Sequence, residues 1–171
     1  MQAVIIQGSS RKDGNTSRIC ELLSADESID IVHLADYKIG HFDYDFNNQD
    51  DDFHPLIKQL LNYQVWILAT PVYWYTMSGR TKVFLDRISD LLKIDKETGR
   101  ELRGKSLGLV SCGSESRLNK GFAIPFQLSA AYLGMDYLGD LHTWIENDTI
   151  PAHIEIDIKD YIKKILSIRT S

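Results

Sequence analysis

The sequence predicts an α/β fold: a doubly wound, five-stranded parallel sheet in the order 2-1-3-4-5, with helices on both faces. Three observations carry this. Short apolar runs alternate with segments of helical periodicity, the pattern of repeated strand–helix–strand units. The third run, Val65-Trp66-Ile67-Leu68-Ala69, is apolar at every position, as a strand covered on both sides must be. The first run, Ala3-Val4-Ile5-Ile6, passes through a loop rich in glycine and hydroxyls into a segment that spaces Ile19, Cys20, Leu22 and Leu23 for one face of a helix.

The strands are expected at 2–7, 29–34, 64–69, 105–111 and 136–145, and the helices near 16–25, 55–62, 80–93, 125–133 and 155–168. Thr70-Pro71 is expected to end the third strand, because proline forces its predecessor into an extended conformation. The following helix places Phe84, Ile88, Leu91 and Leu92 on one face. Pro125 marks the start of the fourth helix and Gly134 its stop. There is no internal repeat and no low-complexity linker, so residues 1–171 are read as one domain. A chain of this size buries about 70% of its unfolded surface.

Composition narrows the function classes. Nineteen basic residues against 24 acidic ones leave a net charge of −5, which argues against a nucleic-acid partner. No apolar run approaches the length needed to span a membrane, and no signal peptide is visible. Cys20 and Cys112 are far apart and form no Cys-x-x-Cys pair. A cytoplasmic location with both thiols reduced fits these features. The five histidines show no metal-ligand spacing, so no metal site is expected.

In a sheet of this order, ligands sit where the strand order reverses, at the carboxyl ends of the strands. Three loops should meet there. The first is Gly8-Ser9-Ser10-Arg11-Lys12-Asp13-Gly14-Asn15-Thr16-Ser17. It combines free amides at a helix start with hydroxyls, an amide side chain and a guanidinium, a set suited to a phosphate. It lacks the Lys-Ser/Thr pair of nucleoside-triphosphate loops and the third glycine of dinucleotide loops, which leaves a terminal phosphate monoester. The competing reading is a helix N-cap on Thr16 or Asn15 in a surface turn. The second loop, Pro71 to Gly79, places Tyr73, Trp74 and Tyr75 side by side. They suit the edges and faces of a flat ring system, with backbone amides near Ser78 and Gly79 at its polar edge; the alternative is that they fill the core or a subunit interface. The third loop, Ser111-Cys112-Gly113-Ser114-Glu115-Ser116, is small and polar. One phosphate and one planar heteroaromatic ring at a sheet edge together suggest flavin mononucleotide (FMN).

Gly8-Ser9-Ser10-Arg11 followed by Gly14-Asn15-Thr16-Ser17 resembles the phosphate loop of the NAD(P)H-dependent FMN reductase family, within the flavodoxin-like superfamily. Thr70-Pro71-Val72-Tyr73-Trp74, with Ser78-Gly79, Lys82 and Asp86-Arg87, is similar to that family's second signature. The detailed match is confined to about 8–17 and 70–87. The resemblance implies that Ser9, Arg11, Asn15, Thr16 and Ser17 hold the FMN phosphate. It implies that Pro71, Val72, Tyr73 and Trp74 line the isoalloxazine, and that Cys112, Gly113 and Ser114 meet the ring's pyrimidine side. Lys82, Asp86 and Arg87 are read as structural, with Lys82 and Asp86 spaced for a helical ion pair.

Two departures stand out. Where iron–sulfur relatives carry a cysteine cluster, residues 41–53 contain no cysteine, and their acidic run is read as a solvated loop. Where many relatives carry a small residue after the Tyr-Trp pair, this chain has Tyr75, expected to narrow access to the flavin face. The implied activity is FMN-dependent oxidation of NADPH or NADH, with hydride passing to flavin N5 and electrons then to a small acceptor: a quinone, flavin, azo or nitro aromatic, or metal ion. No side chain is required as catalytic acid or base, because the cofactor carries the chemistry. Arg80 or Arg117 would attract the phosphates of the nicotinamide cofactor. A homodimer or homotetramer is expected. The rival readings are a flavodoxin-like electron carrier with protein partners, and a non-redox module binding another phosphate monoester.

Overall fold

Alternation along each strand decides which face of the sheet a side chain joins. The computed structural model describes residues 2–25 and 29–167. It contains strands β1 (Ala3–Gln7), β2 (Asp30–His33), β3 (Val65–Tyr73), β4 (Thr76–Met77), β5 (Ser106–Gly113) and β6 (Asp136–Trp144). The helices are α1 (Asn15–Ala25), α2 (Phe53–Leu60), α3 (Gly79–Lys93), α4 (Lys96–Arg100), α5 (Ile124–Leu133) and α6 (Ala152–Ser167), with a 3₁₀ turn at Leu34–Asp36. Val4, Ile6, Trp66, Leu68, Leu107 and Leu109 point to one face, where Phe53, Leu56 and Ile57 of α2, Phe84, Ile88 and Leu91 of α3, and Phe126 and Ala130 of α5 cover them. Ala3, Ile5, Val65, Ile67, Ala69, Val110 and Cys112 point to the other, under Ile19, Cys20 and Leu23 of α1 and Ile154, Ile158, Tyr161, Ile162 and Ile165 of α6.

The sheet order is β2-β1-β3-β5-β6, with β4 attached to β3. Neighbours along the main path are parallel. With the two-residue β4 set aside, this is the predicted doubly wound order. The central pairing sets Ile5 beside Ile67 and Ile67 beside Gly108. Gly134 ends α5 in the left-handed conformation, φ 71°, which a residue without Cβ adopts at no steric cost.

Three differences from the sequence reading have physical causes. The third strand does not end at Thr70-Pro71 but runs on to Tyr73. Its neighbour β1 stops opposite Ala69, and proline is tolerated where a strand edge is unpaired; β4 then folds back on Val72 and Tyr73. Helix α4 was not anticipated. It is one short turn, capped by the Asp95 carboxylate, which accepts from the Thr98 amide. The acidic run is not merely solvated. Asp52 accepts from the Lys38 amide at 2.7 Å, and Asp51 from the amides of Gly40 and Phe53 at 2.8 and 2.9 Å. Asp51 also pairs with Arg87 of α3, which is 1% exposed. Arg87 further donates to Asp90 at 2.9 Å and to the carbonyls of Gly40 and Asn48, and lies 4.8 Å above the Phe53 ring. The acidic segment is thereby fastened to α3. The expected Lys82–Asp86 ion pair is present at 2.6 Å. The end of the last predicted helix, residue 168, lies outside the described residues. No helix among the described residues is long and apolar enough to cross a membrane.

Candidate active site

Strands β1, β3 and β5 are adjacent, so the loops that leave their carboxyl ends converge. The first two are bonded directly. Gly8 donates its amide to the Ala69 carbonyl at 2.8 Å, and the Ser78 hydroxyl donates to the Gly8 carbonyl at 2.6 Å. Ser78 also caps α3, its hydroxyl accepting from the Thr81 amide at 3.1 Å. Gly8 is a requirement of this approach: a Cβ there would lie 1.9 Å from the Thr81 hydroxyl oxygen. The Ser78 amide, expected to face a ligand, donates instead to the Thr70 hydroxyl at 3.0 Å. A buried strand end with proline next in sequence has few amides to spare, and the hairpin consumes this one.

Helix α1 begins at Asn15, and the Gly14 carbonyl accepts from the amides of Ser17 and Arg18. Among the described residues the amides of Lys12 through Thr16 make no backbone hydrogen bond. Ser9 and Thr16 are buried, while Arg11 and Asn15 are exposed around the same turn. Ser17 lies beneath the loop: its hydroxyl accepts from the Gln7 side chain at 2.6 Å, and Gln7 bonds His33 at 2.8 Å. Ser9 accepts from the Arg11 amide at 3.2 Å. Unpaired amides, two buried hydroxyls and one guanidinium at a helix start match the donor set a phosphate requires.

The ring side is a cleft of about 650 Å³ lined by Val72, Trp74, Tyr75, Gly113, Ser114, Glu115, Arg117, Asn119 and His142. Among the residues expected to meet the ring, Val72, Trp74, Gly113 and Ser114 line it. Pro71 is buried in the ladder opposite Cys112. Tyr73 stands at the hairpin, paired with Thr76. Cys112, next to Gly113 of the cleft, is itself buried; burial pushes its thiol above the ordinary pKa, an effect the Thr143 and Thr16 hydroxyls partly offset. Arg117 lies in the cleft wall, whereas Arg80 donates to the Leu34 carbonyl at 3.1 Å.

Sequence reasoning missed His142. It reaches from β6, with Nδ1 2.8 Å from the Ser111 hydroxyl and Nε2 3.0 Å from the Glu115 carbonyl. A carbonyl only accepts, so Nε2 carries hydrogen and Nδ1 of the neutral ring accepts from Ser111. Among the described residues this is the one hydrogen bond made by residues 114–118. The signal lies in strand register, which sets Ser111 beside His142. A histidine 31 positions away gives no local pattern.

The sequence model of the NADPH-dependent FMN reductases matches residues 1–148. The chain belongs to this family. It is thus an NAD(P)H-dependent, FMN-containing oxidoreductase. It is 27% identical over 149 residues to a Bacillus subtilis (strain 168) protein provisionally named NAD(P)H-dependent FMN-containing oxidoreductase YwqN, covering 81% of this chain and 82% of that protein. The reductase also superposes on the Trp repressor binding protein of Bacillus subtilis with a TM-score of 0.72, at 22% identity and 99% coverage of both chains. On an NADPH-quinone reductase from P. pentosaceus the TM-score is 0.66, at 20% identity, over 95% of this chain and 96% of that one. These likenesses establish the shared flavodoxin-like fold.

Proposed function

We propose that this reductase oxidises NADPH or NADH at an FMN held across the β1, β3 and β5 loops and passes the electrons to a small aromatic acceptor. The observation that carries this reading is the convergence of a donor-rich helix start with an aromatic-walled cleft at one sheet edge. When bound, FMN would supply the redox chemistry between the nicotinamide donor and the acceptor. Ser9, Arg11, Asn15 and Thr16, with the amides of residues 12–16, hold its phosphate; Ser17 and Gln7 brace that turn from below. Val72 and Trp74 supply the apolar wall, and Gly113 and Ser114 the small polar one. Pro71, Tyr73 and Cys112 support these walls from the strand ends. No side chain in the cleft is assigned a catalytic proton transfer.

The working unit is a single domain and a homo-oligomer. Support for the latter is α5, which carries no charged residue and exposes Ile124, Leu128 and Tyr132 along one outward stripe. Large apolar stripes of this kind mark association surfaces. Two buried free thiols suit a reducing, cytoplasmic compartment.

The test is a visible absorption spectrum of the purified protein, before and after FMN and then NADPH are added without oxygen. A bound-flavin spectrum that bleaches on NADPH, or on NADH, supports the reading. A flavin spectrum that bleaches with neither donor points to an electron carrier. Failure to take up FMN rejects the cofactor site.

A further inference from the structure

The two residues at the tip of the β3–β4 hairpin, Trp74 and Tyr75, have φ of 48° and 66°. Two central residues with positive φ are what a two-residue type I′ hairpin demands, and asparagine and glycine adopt that conformation with least strain. Here the position holds two of the largest side chains, both forced into a backbone region that bulky residues avoid. Neither ring repays this by packing into the fold. Trp74 is 91% exposed and Tyr75 72% exposed, and neither makes a recorded ring contact among the described residues. Strain combined with exposed apolar surface marks a functional position.

What the two rings do share is the cleft. Both line it, together with Gly113, Ser114, Glu115, Arg117, Asn119 and His142. These six residues are glycine or polar, whereas Trp74 and Tyr75 are aromatic. A cleft lined by both aromatic and polar groups favours a flat molecule that stacks on the rings and turns a polar edge to the polar groups. We propose that Tyr75 is a specificity-determining residue: its ring is the outer wall of the cleft and selects acceptors with a flat aromatic face over acceptors of similar charge without one. This rests on the reading of the cleft as the flavin and acceptor site. The phosphate loop is not involved, so the proposal separates acceptor choice from cofactor binding.

The test uses oxidised, FMN-loaded protein with no nicotinamide present, so that no turnover occurs. Binding of anthraquinone-2-sulfonate and of cyclohexanesulfonate is measured by calorimetry for the wild type, Tyr75→Gly and Tyr75→Phe, with FMN loading read from the visible spectrum and thermal melting recorded for each. Tyr75→Gly should weaken anthraquinone-2-sulfonate binding about tenfold and leave cyclohexanesulfonate binding unchanged. Tyr75→Phe should bind the flat probe like the wild type. Glycine relieves the left-handed backbone, so Tyr75→Gly should melt no lower than the wild type. Equal anthraquinone affinity in Tyr75→Gly, or equal loss for both probes, overturns the proposal; so does a lower melting temperature, which would make Tyr75 a structural residue. Failure of the wild type to take up FMN overturns the cofactor reading instead, and the spectrum reports it separately.

Discussion

The hydroxyl of Ser78 donates to the carbonyl of Gly8 at 2.6 Å, joining two residues 70 positions apart. One bond thereby locks the start of the phosphate loop to the start of α3, and the same hydroxyl caps that helix. The loops after β1 and β3 are held as a unit rather than as separate surface turns.

The closeness of that junction makes Gly8→Ala destabilising. Its new methyl would meet the Thr81 hydroxyl oxygen at 1.9 Å, and overpacking of this kind costs about 1–3 kcal/mol. Urea denaturation should show the loss, and the double variant Gly8→Ala, Thr81→Ala should recover part of it. Equal losses in the single and double variants would mean that the clash is not the cause.

Arg11→Ala combined with Thr16→Ala should weaken FMN binding by about 100-fold or more, since each hydrogen bond to a charged group contributes about 1.5–3 kcal/mol. Fluorescence titration of the apoprotein reads this directly. Arg11 is exposed and Thr16 makes no backbone-supporting bond of its own, so the melting temperature should change little.

His142→Ala removes the one hydrogen bond that residues 114–118 make among the described residues. Backbone order parameters across that loop should fall while those of β5 stay high, and stability should fall by about 1 kcal/mol. His142→Gln retains an N–H donor and should restore part of the order.

The Arg87 cluster predicts an acid limit. Burial raises the Asp51 pKa, but hydrogen bonds from Arg87, Gly40 and Phe53 together outweigh it and hold the carboxyl below its ordinary value. A carboxyl with a depressed folded-state pKa contributes stability that is complete above its unfolded value, about 3.9, and is lost as pH falls through the folded value. Stability measured by denaturant should therefore drop below about pH 4, and the drop should be shallower in Asp51→Asn. At neutral pH, Asp51→Ala should cost about 3 kcal/mol, the scale for breaking a buried ion pair.

By itself the sequence determined the layered sheet, because strand placement follows from apolar runs such as Val65–Ala69 and from the helical spacing of Phe84, Ile88 and Leu91. The residue types gathered at the sheet edge were legible too, since Gly8–Ser17 and Pro71–Gly79 are contiguous segments. Only the tertiary structure decided how that edge is assembled. The Ser78 amide is spent on Thr70, Ser17 turns beneath its loop onto Gln7, and His142 crosses from β6 to hold Glu115. Each of these bonds depends on strand register or on a close approach between distant segments, and hydrogen bonding between residues far apart in sequence leaves no periodic trace. The same holds for Arg87, whose partners Asp51 and Asn48 lie 36 and 39 positions away. Backbone strain at Trp74 and Tyr75 was equally silent in the sequence, because a left-handed φ is imposed by the hairpin that closes around it and not by the residues that occupy it.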